Sequence, residues 1–421
     1  MTTLQSVLKT YSARLRAFQP NARLYLIYVL IMGATMGVFR LIFNFYVLSL
    51  GFDEAVLGKL ISTTQFTGML LALPIGFLVD KIGRKPLLMS QSIFLTIAIG
   101  AMALWQTTIV FYAMNALLGI VQSISAVVMA PFLMENSGEK ERTYLFSFSS
   151  GLRMGSVCIG NWLGGYLPGW IANFQGIEPT SSASYGGALL SITAISILGF
   201  IPLSFISTKN RYETNSPGFA PFQFAMKEPK LIVKLLLPSL FISIGAGMFM
   251  PFMNIFFRIV HHQSDQVIGT IFAWGSLAMG IGLIIAPPLA DRLGKIQLVA
   301  LTQGLSIPFM IMLGFSPLFS LSTFSYYVRM VLMNMSGPIY QTFVMEQVDK
   351  GAMATIASLA SMVSRFGRAF SPTISGSLQV SYGFGPPFAI AISLYAVAVF
   401  LYWVFFLRRD MERGTLPIPG D

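Results

Sequence analysis

Apolar runs of bilayer-crossing length alternate with short polar turns along nearly the whole 421-residue chain. The runs cover 24–48, 57–79, 87–105, 108–133, 144–171 and 186–206, then 231–257, 267–290, 296–315, 318–344, 353–378 and 388–407. Polar residues fill 207–230, including Asn215, Ser216, Pro217 and Gly218, and read as a linker. The pattern predicts an all-α integral membrane protein: an arm at 1–23, six helices in 24–206, the linker, six more helices in 231–407 and a tail at 408–421. The arm has cations but no continuous apolar core, so it is expected to be a retained arm and not a cleaved signal peptide.

The two halves are copies. Gly76, Leu78, Asp80, Lys81, Gly83, Arg84 and Lys85 form a tight charged turn after the second run. Advancing 211 positions gives Asp291, Arg292, Gly294 and Lys295 at the same spacing, with Pro287 in place of Gly76. Met134 and Glu135 return as Met345 and Glu346; with one residue of slip, Gly33 returns as Gly245 and Arg153 as Arg365. Recurrence at one offset is the mark of an internal duplication.

Composition narrows the chemistry. The chain is 55% hydrophobic and 10% charged, too apolar to solvate its own surface in water. One cysteine, Cys158, allows no internal disulfide, and the only histidines, His261 and His262, are neighbours in a polar loop, so zinc and redox chemistry are not expected. No Gly-x-x-x-x-Gly-Lys-Ser/Thr pattern is present for nucleotide binding. The net charge of +11 would suit nucleic acid, but its distribution reads otherwise. With both termini inside, 20 Lys and Arg fall on the cytoplasmic side, against at most Lys59 and Arg258 outside.

Five arginines lie within the apolar runs and no acidic residue does: Arg40, Arg153, Arg329, Arg365 and Arg368. Each costs about 2.5 to 3.5 kcal/mol at a bilayer centre, so such residues normally face a bundle interior or a wet cavity. Arg40 shares a helical stripe with Gly33, Gly37 and Asn44, and the seventh run repeats the stripe with Gly247, Pro251, Asn254 and Arg258. Guanidinium groups lacking carboxylates can bind a carboxylate or phosphate in bidentate fashion. Arg40, Asn44, Arg153, Asn254, Arg329, Arg365 and Arg368 are therefore the candidate substrate residues, for an anionic or zwitterionic solute.

Twelve runs in two related halves, with this charged turn in both copies, resemble the major facilitator superfamily of secondary transporters. The resemblance covers nearly the whole chain and implies alternating access around a midplane site, with no cofactor and no enzymatic reaction. It also implies a gate built from Gly76, Asp80, Lys81, Gly83, Arg84, Glu135 and Arg142, repeated by Asp291, Arg292, Gly294, Lys295 and Glu346. In this picture Asp80 approaches the inner end of the eleventh helix, while Arg84 joins Glu135 and Arg142. The fifth run, with Gly160, Gly164 and Gly165, is similar to the superfamily's antiporter motif but has Asn161 where that motif has proline. Close helix packing through the glycines and an exporter signature both remain open there.

The expected partners are a small-molecule substrate and the lipid bilayer, with no nucleic acid, for a monomer in the plasma membrane. A transporter-shaped receptor or lipid-handling protein is the alternative, separated from the first reading by whether binding is accompanied by flux.

Overall fold

A computed structural model describes residues 18–207, 228–348 and 353–408, with the side chains of residues 73, 80, 139, 140, 143, 354 and 355 outside that description. The described residues form twelve helical spans and no strand. The first six are α1 (Pro20–Ser49), α2 (Glu54–Ile82), α3 (Arg84–Leu104), α4 (Thr108–Glu135), α5 (Glu139–Gln175) and α6 (Ser182–Leu198, then Phe200–Ser204). The second six are α7 (Pro229–Phe249, then Met253–Ile259), α8 (Asp265–Leu293), α9 (Lys295–Phe315), α10 (Phe319–Glu346), α11 (Met353–Tyr382) and α12 (Gly385–Tyr402, ending in a π turn). Among the described residues, eight of these spans are long and apolar enough to cross a membrane: α1, α3, α4, α6, α7, α8, α9 and α12.

Helices are the expected solution, because hydrocarbon offers no partner for a free backbone N–H or C=O. Large apolar side chains such as Ile109, Phe174 and Ile284 stand exposed, as lipid-facing residues do. Several helices outrun their apolar stretch. The 37 residues of α5 extend through the polar start Glu139–Arg142, a length of about 55 Å against a hydrocarbon core of about 30 Å.

The chain packs as two compact units, Met1–Tyr46 with Leu70–Thr214 and Val47–Met69 with Asn215–Asp421. In the first, α3 packs on α4 and α6. There α1 and α5 touch backbone to backbone: a Cβ on Gly160 would meet the Ala34 carbonyl oxygen at 2.2 Å, and one on Gly37 would meet the Val157 oxygen at 2.6 Å. Small residues let membrane helices approach this closely.

In the second unit, α7 packs on α11 and α12, and α10 on α8 and α9. Pro251 lacks an N–H and interrupts α7, leaving a short 3-10 turn at Met250–Phe252. The Met248 carbonyl beside the break accepts from Ser375 Oγ of α11. The first part of α2 also belongs here and lies against α11, with Ser62 Oγ accepting from the Thr373 backbone N–H at 3.1 Å.

Candidate functional site

The charged turns have the same construction in both copies. Gly83 (φ 94°) and Gly294 (φ 87°) sit in the left-handed region that favours glycine, and each reverses the chain between two helices within one residue. The next residue, the first of the following helix, carries a cation facing the end of another helix. Arg84 Nη2 lies 3.0 Å from Glu135 Oε1 at the end of α4, and Lys295 Nζ bonds Glu346 Oε1 at the end of α10. Both members of the second pair stand 211 positions after those of the first.

Lys85 has its own task, donating to the backbone oxygens of Ser204 and Ile206 at 2.9 and 2.6 Å. It thereby caps the end of α6, whose last carbonyls have no intrahelical donor. Arg142 pairs with no carboxylate among the described residues, and its Nε is buried without an acceptor. Asp291 and Arg292 are exposed, as is Lys81, while Gly76 has open space around it. The expected approach of the Asp80 carboxylate to the eleventh helix falls on a side chain outside the described residues.

The membrane-span arginines divide by unit. In the first, Arg40 of α1 and Arg153 of α5 are both exposed. In the second, Arg365 is half-buried and Arg368 is exposed. Arg368 folds back on its own helix, donating from Nε to the Ser364 backbone oxygen at 3.2 Å and from Nη2 to Ser364 Oγ. None of the four pairs with a carboxylate among the described residues.

Arg329 of α10 is different. It is 3% exposed, donates to the Tyr395 hydroxyl at 2.8 Å and to Met250 Sδ at 3.4 Å, and stands over the Phe249 and Tyr395 rings at 4.5 and 5.1 Å. Aromatic faces and a hydroxyl hold this cation inside its own unit. The break at Pro251 is what brings Met250 into the set.

Asn44 and Asn254, at 4% and 2% exposed, are buried among helices, and Asn254 Oδ1 accepts from the Ile255 N–H at 3.0 Å. Arg258 pairs with Asp265 at the start of α8. Gly160 and Gly164 both face α1, where a Cβ on Gly164 would meet Val38 Cα at 3.2 Å.

Sequence reasoning expected α2 to meet α11 only through Asp80 and missed their contact at the opposite end of α2. A Cβ on Gly58 would meet the Pro372 oxygen at 2.2 Å and one on Gly376 the Glu54 oxygen at 2.1 Å, while the Phe66 and Phe370 rings meet edge-on with centroids 6.0 Å apart. The available signal was a glycine in each run at the end remote from the charged turns.

Paired helical repeats, duplicated charged turns and span arginines that pair with no carboxylate among the described residues are the construction of a polytopic transporter. The sequence profile of the Major Facilitator Superfamily matches residues 24–372, and the chain belongs to that superfamily. Among relatives, it is 24% identical over 357 residues to the multidrug resistance protein MdtG of Dickeya zeae (strain Ech586), covering 80% of this chain and 81% of that protein. To the MdtG protein of Proteus mirabilis (strain HI4320) it is 24% identical, covering 79% and 81%.

Solved structures share the fold. A point mutant of the nucleoside transporter NupG aligns with a TM-score of 0.76 at 14% identity, over 92% of this chain and all of that one. A bacterial homologue of the human lysosomal transporter Spinster, in an inward-facing and unoccupied conformation, aligns with a TM-score of 0.76 at 13% identity, over 92% and 97%.

Proposed function

We propose that this protein is a secondary transporter that exports a small anionic or zwitterionic organic solute by alternating access, working as a monomer in the plasma membrane. The carrying observation is the set Arg40, Arg153, Arg365 and Arg368 within the spans, none of which pairs with a carboxylate among the described residues. A bound anion supplies the missing charge, and the planar guanidinium fork suits carboxylate or phosphate. The MdtG relatives, named for multidrug resistance, favour export as the direction.

The repeated ion pairs support two halves at 24–206 and 231–407 that move as related bodies, with 207–230 as linker. Charge asymmetry supports a cytoplasmic location for both termini and the charged turns. Gating then belongs to Arg84–Glu135 and Lys295–Glu346, with Asp80 as a third element. Reconstitution into liposomes tests the reading: counterflow of organic anions that exceeds flux of matched cations supports it. Anion binding without flux points to a receptor instead.

A further inference from the structure

Four helix ends of the first unit meet in a closed ring of polar contacts. Arg84 at the start of α3 pairs with Glu135 at the end of α4. The residue after Glu135, Asn136, accepts at its Oδ1 from Asn21 Nδ2 of α1 at 2.9 Å. Asn21 in turn holds the backbone of Ser207, donating from Nδ2 to its carbonyl oxygen at 3.0 Å and accepting at Oδ1 from its N–H at 3.0 Å. Lys85, the residue after Arg84, closes the ring through the Ile206 carbonyl just past α6. Ser207 is the first residue of the linker, so each member of the ion pair has a chain neighbour on the path to the linker's origin.

We propose that Asn21 is a positioning residue that couples the origin of the linker to the Arg84–Glu135 pair, so that a pull on the linker reaches the gate. The proposal deepens the transport reading and rests on the gating role given to that pair. The grip itself is specific. The amide of Asn21 uses its N–H groups on Asn136 and Ser207 and its oxygen on the Ser207 N–H, which fixes its orientation. Because both groups it holds on Ser207 are main-chain, the linker's first peptide is held whatever side chain it carries.

The second copy repeats the ion pair but not the ring. Advancing 211 positions puts Ile296 where Lys85 stands, while Asn21 falls on Ile232 or, with the slip of the first helix, on Val233. Ile296 is 4% exposed in an apolar cluster, and Ile232 packs against the same cluster. An apolar contact therefore suffices to seat these helix ends beside an ion pair. The polar ring occurs in the copy that the linker leaves, and its additional partners, Ile206 and Ser207, are where the linker begins.

A spin label attached through Ser207→Cys, with Cys158→Ser, reports the linker's origin in the full-length protein in lipid nanodiscs and spares the backbone groups that Asn21 holds. Asn21→Ala should raise the ratio of mobile to immobile label about fivefold, the worth of one hydrogen bond. Asn21→Asp, which suits a helix start but turns a carboxylate toward the Asn136 and Ser207 oxygens, should act in the same direction. Glu135→Gln, on the other side of the ring, should also raise the ratio. Combined with Asn21→Ala it should add nothing, because the path between the two sites is already cut. Ser204→Ala leaves the backbone contact to Lys85 in place and should not move the label.

An unmoved label in Glu135→Gln, or effects that add in the double variant, would mean independent contacts and overturn the proposal. So would a Ser204→Ala effect equal to that of Asn21→Ala, which would mark general fraying after α6. Flux of Glu135→Gln in liposomes tests the gating role by itself: a mobilised label with normal flux would contradict the gate and leave the coupling standing.

Discussion

Arg84 and Glu135 form an ion pair at 3.0 Å, linking the start of α3 to the end of α4, and Lys295 and Glu346 repeat it 211 positions later. The duplication thus conserved a contact between elements and not only a motif. Both pairs are partly exposed, so each contributes at most about 1 kcal/mol to stability. Glu135→Gln should therefore leave the melting temperature nearly unchanged while slowing flux several-fold. The exchange Arg84→Glu with Glu135→Arg should recover part of the lost flux. Equal loss in single and double variants would rule out a paired role.

Asp80→Asn should reduce flux while substrate affinity survives, because the residue lies at the charged turn, a helix end remote from the arginines of the spans. Removing a charge used only in one gate state shifts the population toward the other. Affinity and flux measured in one preparation check this; lost affinity with normal flux would contradict a gating role.

The α1–α5 contact predicts a steep steric dependence. Gly160→Leu has no room beside the Ala34 carbonyl and should destabilise the protein by about 1 to 3 kcal/mol or more. Gly151→Ala, nine residues earlier on the same helix and facing open space, should be neutral or slightly stabilising. Thermal denaturation in detergent separates the two, and similar melting for both would disprove the close contact.

His261, in the turn between α7 and α8, predicts a pH effect. It is 8% exposed, packed by the Phe256, Phe257 and Phe319 rings, and its Nε2 has no acceptor. Burial first, and then the neighbouring His262, lower its pKa below the ordinary 6.5. The nearby Arg258 is already committed to Asp265. A lowered folded-state pKa means the unfolded chain binds the proton more readily. Stability is therefore fully present above about pH 6.5, declines as pH falls, and levels off below the folded-state pKa. Melting curves from pH 7.5 to 4.5 should show this component, and His261→Phe should remove it; an unchanged profile in the variant would place the effect elsewhere.

Hydropathy alone revealed the twelve spans, because bilayer thickness fixes the length and apolarity of each run. It placed a start too late where polar residues prolong a helix beyond the apolar stretch, as Glu139–Arg142 do for α5, read as beginning at 144. The spacing of Asp80, Gly83 and Arg84 made the charged turn legible, since a left-handed glycine between two helices leaves a local pattern.

Tertiary partners were not legible in the same way. Nothing around Arg329 in the chain announces Tyr395 and Phe249, which lie 66 and 80 residues away in sequence. The stripe containing Asn44 and Asn254 was visible, but not that both would be buried. Gly58 and Gly376 carried a weak signal, because isolated glycines in apolar runs serve packing, bending or contact alike.

The most direct measurement is equilibrium binding of organic anions to Arg40→Gln, Arg365→Gln and Arg368→Gln, with the matching Lys variants, in protein that still folds. At least two Gln variants should lose about tenfold or more in anion affinity, comparable to one charge-assisted hydrogen bond. Loss in the Lys variants as well indicates bidentate recognition, and retention there indicates a general positive field. Unchanged anion affinity in all three Gln variants, or a confirmed substrate that is a cation, would contradict an anion-completed site.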